Sequence, residues 1–514
     1  MHIKEVFIIE TIIVNGKKLP WLEVERGFNI PSFNFVTERE KINGRPGSVK
    51  KSRQLDEYEI EIPILVRNDY LSDGGIKDHD EISQEIIKFV NYDEPITFRF
   101  SSQSWYWNVQ IDGPIEIPLN TEGQIIQFTL KIILTDPYKY STNEYTNTAI
   151  SDEVAIVNKG TADTPIVIEA RAIKDSTNFM IAKGKDGVAE DYFMIGKSED
   201  ANKVNKDEEP ILFNDEFHTG IGNWAYVAAN TSFGNKLDGG DANGGRFGVS
   251  ELKDSIYPSN YGTTISTNWH GAAIYKSLGK SLGDLRVKFK VLVRHHADTG
   301  PGKGFTYILD EKNRTLFSIG YVNTSTSRNF GQIIAYAYNE HGEAQRIYTR
   351  ETPFKYLKID NMHVFMTLER KGNEIYIETC KYDYAKDKGR RKPLDKHSRT
   401  YTDSGNFYQR KVRISQMYVG KSAKYEKRLY VNILGYSIQE LLPKQSDVTP
   451  IVIRTGDLIV IDTGQNLVTL NDESVLKMKD FGSNYFNIDS GSSELVIDPQ
   501  GKFDTKIIWR DRFL

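Results

Sequence analysis

Cysteine is nearly absent from this chain, since one residue, Cys380, occurs among 514. A single thiol excludes an intrachain disulfide framework and fits synthesis in a reducing cytosol. Charge of one sign is also lacking, because 66 Lys and Arg oppose 70 Asp and Glu, which gives a formal net charge of −4. This near balance argues against a broad polyanion-binding surface. We therefore expect no specific nucleic acid as a partner, although a local basic patch stays open.

Long apolar runs and a signal peptide are lacking as well. No apolar stretch approaches the ~20 residues of a transmembrane helix. The opening MHIKEVFIIETIIVNG places acidic residues beside a short apolar run that ends in a turn. We therefore expect no membrane insertion. The chain does have 28 Tyr, 25 Phe and 40 Gly, a balance that favours strands and turns over helices.

One domain of the chain is interrupted by another. Val154–Lys197 and Asp447–Ile497 have the pattern of one small β-sandwich, yet about 240 residues separate them, enough for a second, larger sandwich. An insert of this kind needs its own ends close together. The sequence therefore predicts a first domain of residues 1–145, a split domain of 146–208 and 445–514, and an inserted module of 209–444.

The first 145 residues predict a strand-rich domain with one helix. Asn15-Gly16 favours a two-residue hairpin turn. Alternation of apolar and polar residues at 58–66 and at 126–134 predicts two half-buried strands, the second ended by Asp136-Pro137. Between these strands Asp78 is positioned to cap a helix. The apolar stripe of that helix has helical spacing and consists of Ile82, Ile86, Phe89 and Val90.

The order of these elements resembles the distal tail proteins of long, flexible-tailed bacteriophages. The resemblance also rests on Gly44-Arg45-Pro46-Gly47, on Trp105-Tyr106-Trp107 and on Asp136-Pro137-Tyr138. In the split domain, Asn158-Lys159-Gly160-Thr161 and the segment 456–462 are similar to the galectin-like carboxy-terminal domain of that family.

The resemblance implies a structural hub in the virion, made in the host bacterial cytoplasm and located at the tail tip. Six copies would form a ring that joins the tail tube, through the major tail protein and the tape-measure protein, to a lysin, fibre or receptor-binding protein. It implies no enzymatic step and no cofactor.

The inserted segment is rich in strands without a helical period, which predicts a two-sheet sandwich. Its candidate strands are Arg286–Val293, Phe305–Leu309, Ile333–Tyr338, Met362–Arg370 and Glu374–Cys380. The hairpin at 365–376 resembles the back sheet of concanavalin-like and laminin-G-like jelly rolls, which implies carbohydrate binding. The expected fold class is mainly β: an α+β ring domain (a β-sandwich or split barrel with one helix and a hairpin), and a galectin-like sandwich interrupted by a jelly roll.

Aromatic residues in polar loops are the best signal for a ligand, because sugar rings stack their C–H faces on Trp and Tyr. One such group lies within residues 257–270. We expect host cell-wall polysaccharide to contact Tyr257, Tyr261, Asn268, Trp269 and His270. Trp224 is a further candidate, for which packing in the core is the competing interpretation.

The residue pattern indicates no catalytic site and no metal site. A glycosidase needs two carboxyl groups about 5–9.5 Å apart. The inserted segment has no Glu-x-Asp-x-x-Glu pattern, and Glu374 and Glu378 would lie roughly 13 Å apart on one strand. His295-His296 diverge if extended. Asp310 and Asn313 favour a β-turn over a calcium site.

Two alternatives stay open for the inserted module. In the first, the module docks other tail proteins rather than sugar. In the second, it is a cell-wall glycan hydrolase, and the lack of a carboxylate pair argues against this one. The basic segment 381–396 also has two interpretations: attraction of anionic glycans such as teichoic acid, or a solvated hairpin loop.

Overall fold

The computed structural model describes residues 10–67, 79–92, 95–118, 125–185, 188–294, 300–326, 331–357, 359–387 and 392–514. Among them strands dominate, with one α-helix, so the mainly β fold class is confirmed. No helix in these ranges is long and apolar enough to span a bilayer. The chain divides into two compact units: Met1–Gly196 with Ile453–Asn471 and Val475–Leu514, and Lys197–Val452 with Asp472–Ser474.

The amino-terminal part of the first unit contains a closed barrel. Its elements are β1 (Thr11–Val14), β2 (Lys17–Val24), β3 (Phe35–Glu40), β4 (Val49–Leu55), β5 (Tyr58–Arg67), α1 (His79–Val90), β6 (Ile96–Phe100), β7 (Trp105–Gln110) and β8 (Ile125–Ser141). The strand order is β8-β5-β2-β1-β6-β7, and β7 pairs back onto β8. Closure removes the free edges of the sheet.

Alternating residues fill the barrel, as the pattern of β5 predicts. Ile60, Ile62, Ile64 and Val66 are all buried. The four apolar residues of α1 belong to the same core cluster, so the predicted helical stripe is confirmed. Its predicted cap, Asp78, lies outside the described residues. Asn15-Gly16 forms the predicted turn, with φ angles of 48° and 76°.

One strand continues where the sequence predicts an end. The prediction that Asp136-Pro137 terminates β8 is wrong, because this strand runs on to Ser141. It pairs with β5 as far as Leu134, and with β7 from Ile133 to Ser141. Proline lacks a backbone N–H and fits a ladder only at irregular positions. Pro137 meets this condition because it lies where the register between β7 and β8 shifts.

The rest of the first unit is built from the two pieces that the sequence singles out. The earlier piece supplies β9 (Tyr145–Thr148), β10 (Glu153–Asn158), β11 (Ile166–Ala172), β12 (Asn178–Lys185) and β13 (Val188–Gly196). The second unit supplies β14 to β32, bounded below. The later piece then gives β33 (Leu458–Asp462), β34 (Leu467–Leu470), β36 (Gly491–Asp498), β37 (Phe503–Trp509) and β38 (Arg512–Phe513), while β35 (Glu473–Ser474), which follows β34 in sequence, belongs to the second unit.

Strands from the two pieces alternate in space. One sheet has the order β10-β36-β12-β13, and the other contains β34-β33-β11-β37-β9. β11 pairs on one side with β33 and on the other with β37, so neither piece can complete a sheet without the other. β38 extends the barrel by pairing with β8.

The second unit is almost entirely strand and turn. Its strands are β14 (Val204–Lys206), β15 (Ile211–Asp215), β16 (Ala225–Tyr226), β17 (Thr231–Phe233), β18 (Gly240–Ala242), β19 (Arg246–Val249), β20 (Ile256–Asn260), β21 (Trp269–Leu282), β22 (Leu285–Arg294), β23 (Gly302–Asp310), β24 (Thr315–Asn323), β25 (Gly331–Tyr338), β26 (Ala344–Glu351), β27 (Met362–Lys371), β28 (Glu374–Asp383), β29 (Asp395–Thr402), β30 (Val412–Ser422), β31 (Tyr430–Glu440) and β32 (Val448–Pro450). The five predicted strands are confirmed as β22, β23, β25, β27 and β28.

Two large sheets enclose the core of this unit. The eight-stranded sheet follows β19-β20-β31-β22-β27-β28-β29, with β15 beside β31. The nine-stranded sheet follows β17-β18-β21-β30-β23-β24-β25-β26, with β16 beside β21. Buried residues from both sheets form one hydrophobic cluster, which includes Phe289, Met366 and Met417.

The two chain ends of the second unit lie side by side. β14 pairs with β32 in parallel, and β15 pairs with β31 in antiparallel fashion. Beyond the ladder, the Leu442 N–H donates to the Glu208 carbonyl at 2.8 Å. A unit with adjacent ends can lie within a loop of another domain without pulling that domain apart.

Candidate functional site

The loop that precedes Trp269 is held by a buried carboxylate. Asp241 is 0% exposed, and its Oδ2 accepts the backbone N–H groups of Ile265, Ser266 and Thr267 at 2.7, 3.0 and 3.0 Å. Its Oδ1 accepts the Ser232 hydroxyl at 2.7 Å. Three consecutive N–H groups on one oxygen fix the backbone of the loop, so the segment that leads into β21 has a defined path.

The same contacts keep Asp241 charged. Burial alone would raise the pKa of this carboxyl, but the three N–H groups and the Ser232 hydroxyl outweigh burial and lower the pKa to about 2. Asp241 is therefore ionised at neutral pH, and its negative charge is stabilised by the N–H groups of the loop.

A second hydrophobic cluster covers the outer face of the nine-stranded sheet. Ile308 belongs to the core between the sheets, whereas Tyr307 and Leu309 belong to the second cluster, because successive residues of a strand point to opposite faces. The segment 233–242 lies on this face. Glycine is required where it crosses, since a Cβ at Gly240 would come within 2.2 Å of the Tyr418 hydroxyl oxygen.

Polar groups buried on this outer face hold the covering segment. Asp238 is fully buried and accepts the Tyr338 hydroxyl at 2.5 Å and the Asn235 N–H at 2.7 Å. The ammonium group of Lys303, also fully buried, donates to the carbonyl oxygens of Leu237 (2.7 Å) and Gly239. Burial lowers the pKa of Lys303 to about 7, while Asp238 acts in the opposite direction.

Trp269 lies at the edge of this covered face. Its side chain is partly buried, and Lys303 Nζ lies 4.1 Å from the centroid of the indole ring. The backbone on its amino-terminal side is tied by Thr267, whose Oγ1 accepts the Trp269 N–H at 3.1 Å. The indole thus packs against the amino group of Lys303, and the residue remains partly accessible at a strand end.

His270 and Tyr261 form a separate group at the same strand end. His270 follows Trp269 on β21 and therefore points to the opposite face. Burial and Lys421 lower the pKa of His270, with Asp241 opposing them, so the ring is neutral at pH 7, and its Nδ1 is buried without a hydrogen bond. Tyr261 is 9% exposed, with the Arg428 guanidinium 5.0 Å from its ring centroid.

The other predicted residues have different surroundings. Asn268 is exposed, and its carbonyl accepts the Ala423 N–H at 2.9 Å. Tyr257 is on β20 of the eight-stranded sheet and is 39% exposed. Trp224 is 4% exposed and belongs to the core cluster, and its Nε1 donates to Asp215 Oδ2 at 2.9 Å. This placement corrects the ligand interpretation of Trp224, since a buried indole offers no face to a sugar.

Sequence reasoning missed several residues that shape this surface. The glycine-rich stretch 239–245 contains β18 and the buried Asp241. Lys303, which precedes the predicted strand Phe305–Leu309, is a fully buried residue of β23 with its Nζ 4.1 Å from the centroid of the Trp269 ring. The available sequence signal was the position of Lys303 between two glycines, directly before the apolar strand that begins at Phe305.

Carboxylates elsewhere in the second unit have structural partners. Asp310 Oδ1 accepts the N–H groups of Lys312 and Arg314 at 2.8 and 2.9 Å, which confirms the predicted turn. Its Oδ2 pairs with Arg410 at 2.6 Å. Glu378 lies 3.4 Å from Lys396. Among the described residues, no group of three His, Cys, Asp or Glu could hold a metal ion. His295-His296 lie outside the described residues.

Two cations of the basic segment 381–396, Lys381 and Lys396, have acid partners, and Cys380 beside the segment is buried. Lys381 is fully buried and pairs with Asp395 at 2.6 Å, and Arg350 pairs with the same carboxylate at 2.5 Å. Part of the segment, including Lys388, Arg390 and Arg391, lies outside the described residues. Burial raises the pKa of the Cys380 thiol to about 11, as expected for a small apolar group rather than a nucleophile.

Two protein-family models match the amino-terminal and carboxy-terminal parts of the sequence. Residues 17–134 match the phage tail protein RIFT-related domain, and residues 446–513 match the siphovirus-type tail component, C-terminal domain. The two ends of the chain thus match family models of phage tail protein domains, the second of them specific to siphovirus-type tails. The resemblance predicted from the amino-terminal elements and from the segment 456–462 is thereby confirmed, and the chain is a structural component of the phage tail. Most of the second unit lies outside both matches.

Solved structures give weaker likenesses to this chain. The Dit protein of phage SPP1, described as a paradigm of a hub adsorption apparatus in phages that infect Gram-positive bacteria, is 18% identical over 37% of this chain and 75% of its own, with a TM-score of 0.31. The CBM2 module of the evolved Dit of Lactobacillus casei BL23 phage J-1 is 15% identical over 47% of this chain and 100% of the module, with a TM-score of 0.38.

An enzyme is also among the similar structures. A glycoside hydrolase family 16 endo-glucanase from Bacteroides ovatus is 12% identical over 44% of this chain and 100% of its own, with a TM-score of 0.31. No curated protein matches the sequence. At these identities and TM-scores the likenesses leave the ligand and activity of the second unit open.

Proposed function

We propose that this distal tail protein forms a six-membered ring at the tail tip and that its inserted module, residues 209–444, binds host cell-wall polysaccharide. The ring joins the tail tube and the tape-measure protein to a lysin, fibre or receptor-binding protein. The module supplies adhesion and catalyses no reaction. The observation that carries the binding assignment is the accessible indole of Trp269 at the end of β21, whose ring centroid lies 4.1 Å from Lys303 Nζ.

The surroundings of Trp269 suit a sugar. An indole presents a flat apolar face to the C–H face of a pyranose, and nearby amides bind hydroxyl groups. Asn268 is exposed beside it, and the loop 265–267 is fixed by Asp241. A rigid loop loses little conformational entropy when a ligand binds. Six copies on one ring would raise the effective affinity by a factor on the order of 10²–10⁴, even if each site is weak.

Retention on host cell walls tests the binding assignment. We expect Trp269→Ala in the full chain to reduce retention at least about tenfold, because multivalency amplifies the loss at each site. The matched control is Phe354→Ala, which removes an aromatic that is 82% exposed on the same unit but beyond β26, four strands from β30. Both variants should melt within a few degrees of the parent chain.

Two outcomes would contradict this assignment. Equal losses for Trp269→Ala and Phe354→Ala would mean that the indole has no special contact. No retention of the parent chain on walls of any susceptible host would remove sugar as the ligand and leave docking to other tail proteins in its place.

The ring assignment is supported by an exposed hairpin in the amino-terminal domain. Among the described residues, β3 and β4 pair only with each other, and most of their own residues are exposed. Phe33, Val36 and Ile42 are 50%, 44% and 49% exposed. A lone two-stranded hairpin is marginally stable in water, and apolar side chains on it call for a covering surface. A neighbouring copy supplies that surface in a ring.

Mass measurement of the full chain tests the ring. We expect light scattering to give six times the mass of one chain, and Val36→Asp combined with Ile42→Asp to give smaller species, because charge is placed on the covered surface. Ile173→Asp, at a site 51% exposed in the split domain, serves as the control. A parent chain that stays monomeric at high concentration would refute the ring.

A further inference from the structure

A strongly basic segment, Lys421–Tyr430, connects β30 to β31. Its sequence, KSAKYEKRLY, contains four cations and one acid. Tyr425 and Tyr430 within it are 46% and 42% exposed. Aromatic and cationic side chains therefore alternate on one exposed connection, although the chain as a whole is close to neutral.

This segment lies directly beside the Trp269 site. In the pairing of β21 with β30, Trp269 is opposite Ser422 and His270 is opposite Lys421. The Ala423 N–H donates to the Asn268 carbonyl at 2.9 Å, which continues the contact beyond the strands. The basic segment and the loop before Trp269 are thus neighbouring connections at one end of the nine-stranded sheet.

Within the described residues, three of the four cations, Lys421, Lys424 and Arg428, have no carboxylate partner. In the ranges the structure describes, no carboxylate oxygen lies within 4.0 Å of a side-chain nitrogen of Lys421, Lys424 or Arg428. Arg428 lies between two rings, with its guanidinium carbon 5.0 Å from the centroid of Tyr261 and 4.9 Å from that of Tyr430. Its Nε is buried without a hydrogen bond. Lys421 Nζ lies 5.7 Å from the centroid of Tyr261.

Several other cations of the same unit do have acid partners. Arg286 is held by Glu209 and Glu369, Lys381 and Arg350 by Asp395, and Arg410 by Asp310. Placing several cations together without acids costs Coulomb energy, which a bound anion would recover. The planar Arg428, orientated by two rings, suits phosphate or carboxylate oxygens.

We infer that the ligand of the inserted module is an anionic polysaccharide, whose phosphate or carboxylate groups pair with Lys421 and Arg428 while a sugar ring stacks on Trp269. Because Trp269 and Lys421 point to opposite faces of the strand ends, a polymer that passes over this end of the sheet reaches both. This inference rests on the proposed function and names the ligand class of the same site.

Binding of defined polymers to the full chain tests the inference. The probes are poly(glycerol phosphate), polygalacturonate, neutral dextran and poly-glutamate, each measured at low and at high salt. We expect one of the two charged, non-peptide polymers to bind with an affinity that falls as salt rises, and dextran to bind at least tenfold more weakly. Preference between the first two probes identifies phosphate or carboxylate.

Charge removal then locates the site. Lys421→Gln combined with Arg428→Gln should weaken binding of the preferred polymer about tenfold or more and flatten its salt dependence. The matched control is Lys355→Gln, which removes an exposed cation 4.8 Å from the Tyr356 ring beyond β26. If both variants lose binding equally, the site is not at Lys421 and Arg428.

The outcomes separate this inference from the proposed function. If Trp269→Ala abolishes wall retention while Lys421→Gln with Arg428→Gln leaves it unchanged, the ligand is a neutral glycan and the inference fails alone. Poly-glutamate binding as tightly as the charged polysaccharides would overturn it in favour of an acidic protein partner. Equal binding of dextran would also overturn it.

Discussion

The buried ammonium group of Lys303 allows a prediction about pH. Its Nζ donates to two carbonyls of the segment 233–242 and lies under the Trp269 indole, with no exposed surface. Lys303→Met keeps the length of the side chain and removes its charge. The substitution leaves the Leu237 and Gly239 carbonyls without this donor, a cost that does not vary with pH.

The sign of the effect follows from the lowered pKa. The folded chain releases the proton of Lys303 near pH 7, whereas the unfolded chain keeps it to about pH 10.4. Between these values the unfolded state binds more protons, so the free energy of unfolding rises with pH by up to about 1.4 kcal/mol per unit. Below about pH 6 both states are protonated and the dependence disappears. Lys303→Met lacks this contribution at every pH.

Scanning calorimetry of the full chain from pH 6 to 9.5 measures the difference. We expect the stability of the parent chain relative to Lys303→Met to increase by about 3–6 °C per pH unit between pH 7 and 9.5, given about 2–4 °C per kcal/mol for a unit of this size. A difference that stays constant over this range would refute the reasoning. It would mean that the carbonyls and the Trp269 ring keep Lys303 charged.

Two further predictions concern residues that support the site. Trp224→Ala should lower the free energy of unfolding by about 3–5 kcal/mol, because the indole is buried and its Nε1–H donates to Asp215. Denaturant unfolding of the full chain measures this loss. A loss well below about 3 kcal/mol would mean that Trp224 does not belong to the core. Asp241→Asn should cost about 2 kcal/mol at pH 7. Because the folded pKa of Asp241 is lowered, the parent loses this advantage as pH falls from about 4 to 2, so melts of the two chains should converge there.

The elements that are predictable from sequence are those with local signals. The turn at Asn15-Gly16 needs only residues that tolerate positive φ, and the helix α1 needs only a periodic stripe. Strands such as β5 and β27 follow from alternation. In contrast, Pro137 lies inside β8 because a second partner strand shifts register there, which no local pattern reveals.

The candidate site depends on contacts between distant segments, and this limits what sequence predicts. Trp269 and Trp224 both occur near Asn residues in polar surroundings, yet one lies at a strand end and the other in the core. Two basic segments differ in the same way. Lys381 meets Asp395 because β28 pairs with β29, whereas Lys421 faces His270 and has no acid partner in the described ranges.

The paired ends of the second unit also have a thermodynamic consequence for the domain that is split around it. When the unit is folded, β14 pairs with β32, so the connection from β13 to β33 is bridged at this pair and is effectively short. If the unit unfolds, that connection becomes a flexible loop of roughly 250 residues, and closing it costs about 3 kcal/mol more than closing a loop of about 10. The split sandwich therefore loses stability when its insert melts, because a longer loop must then be closed.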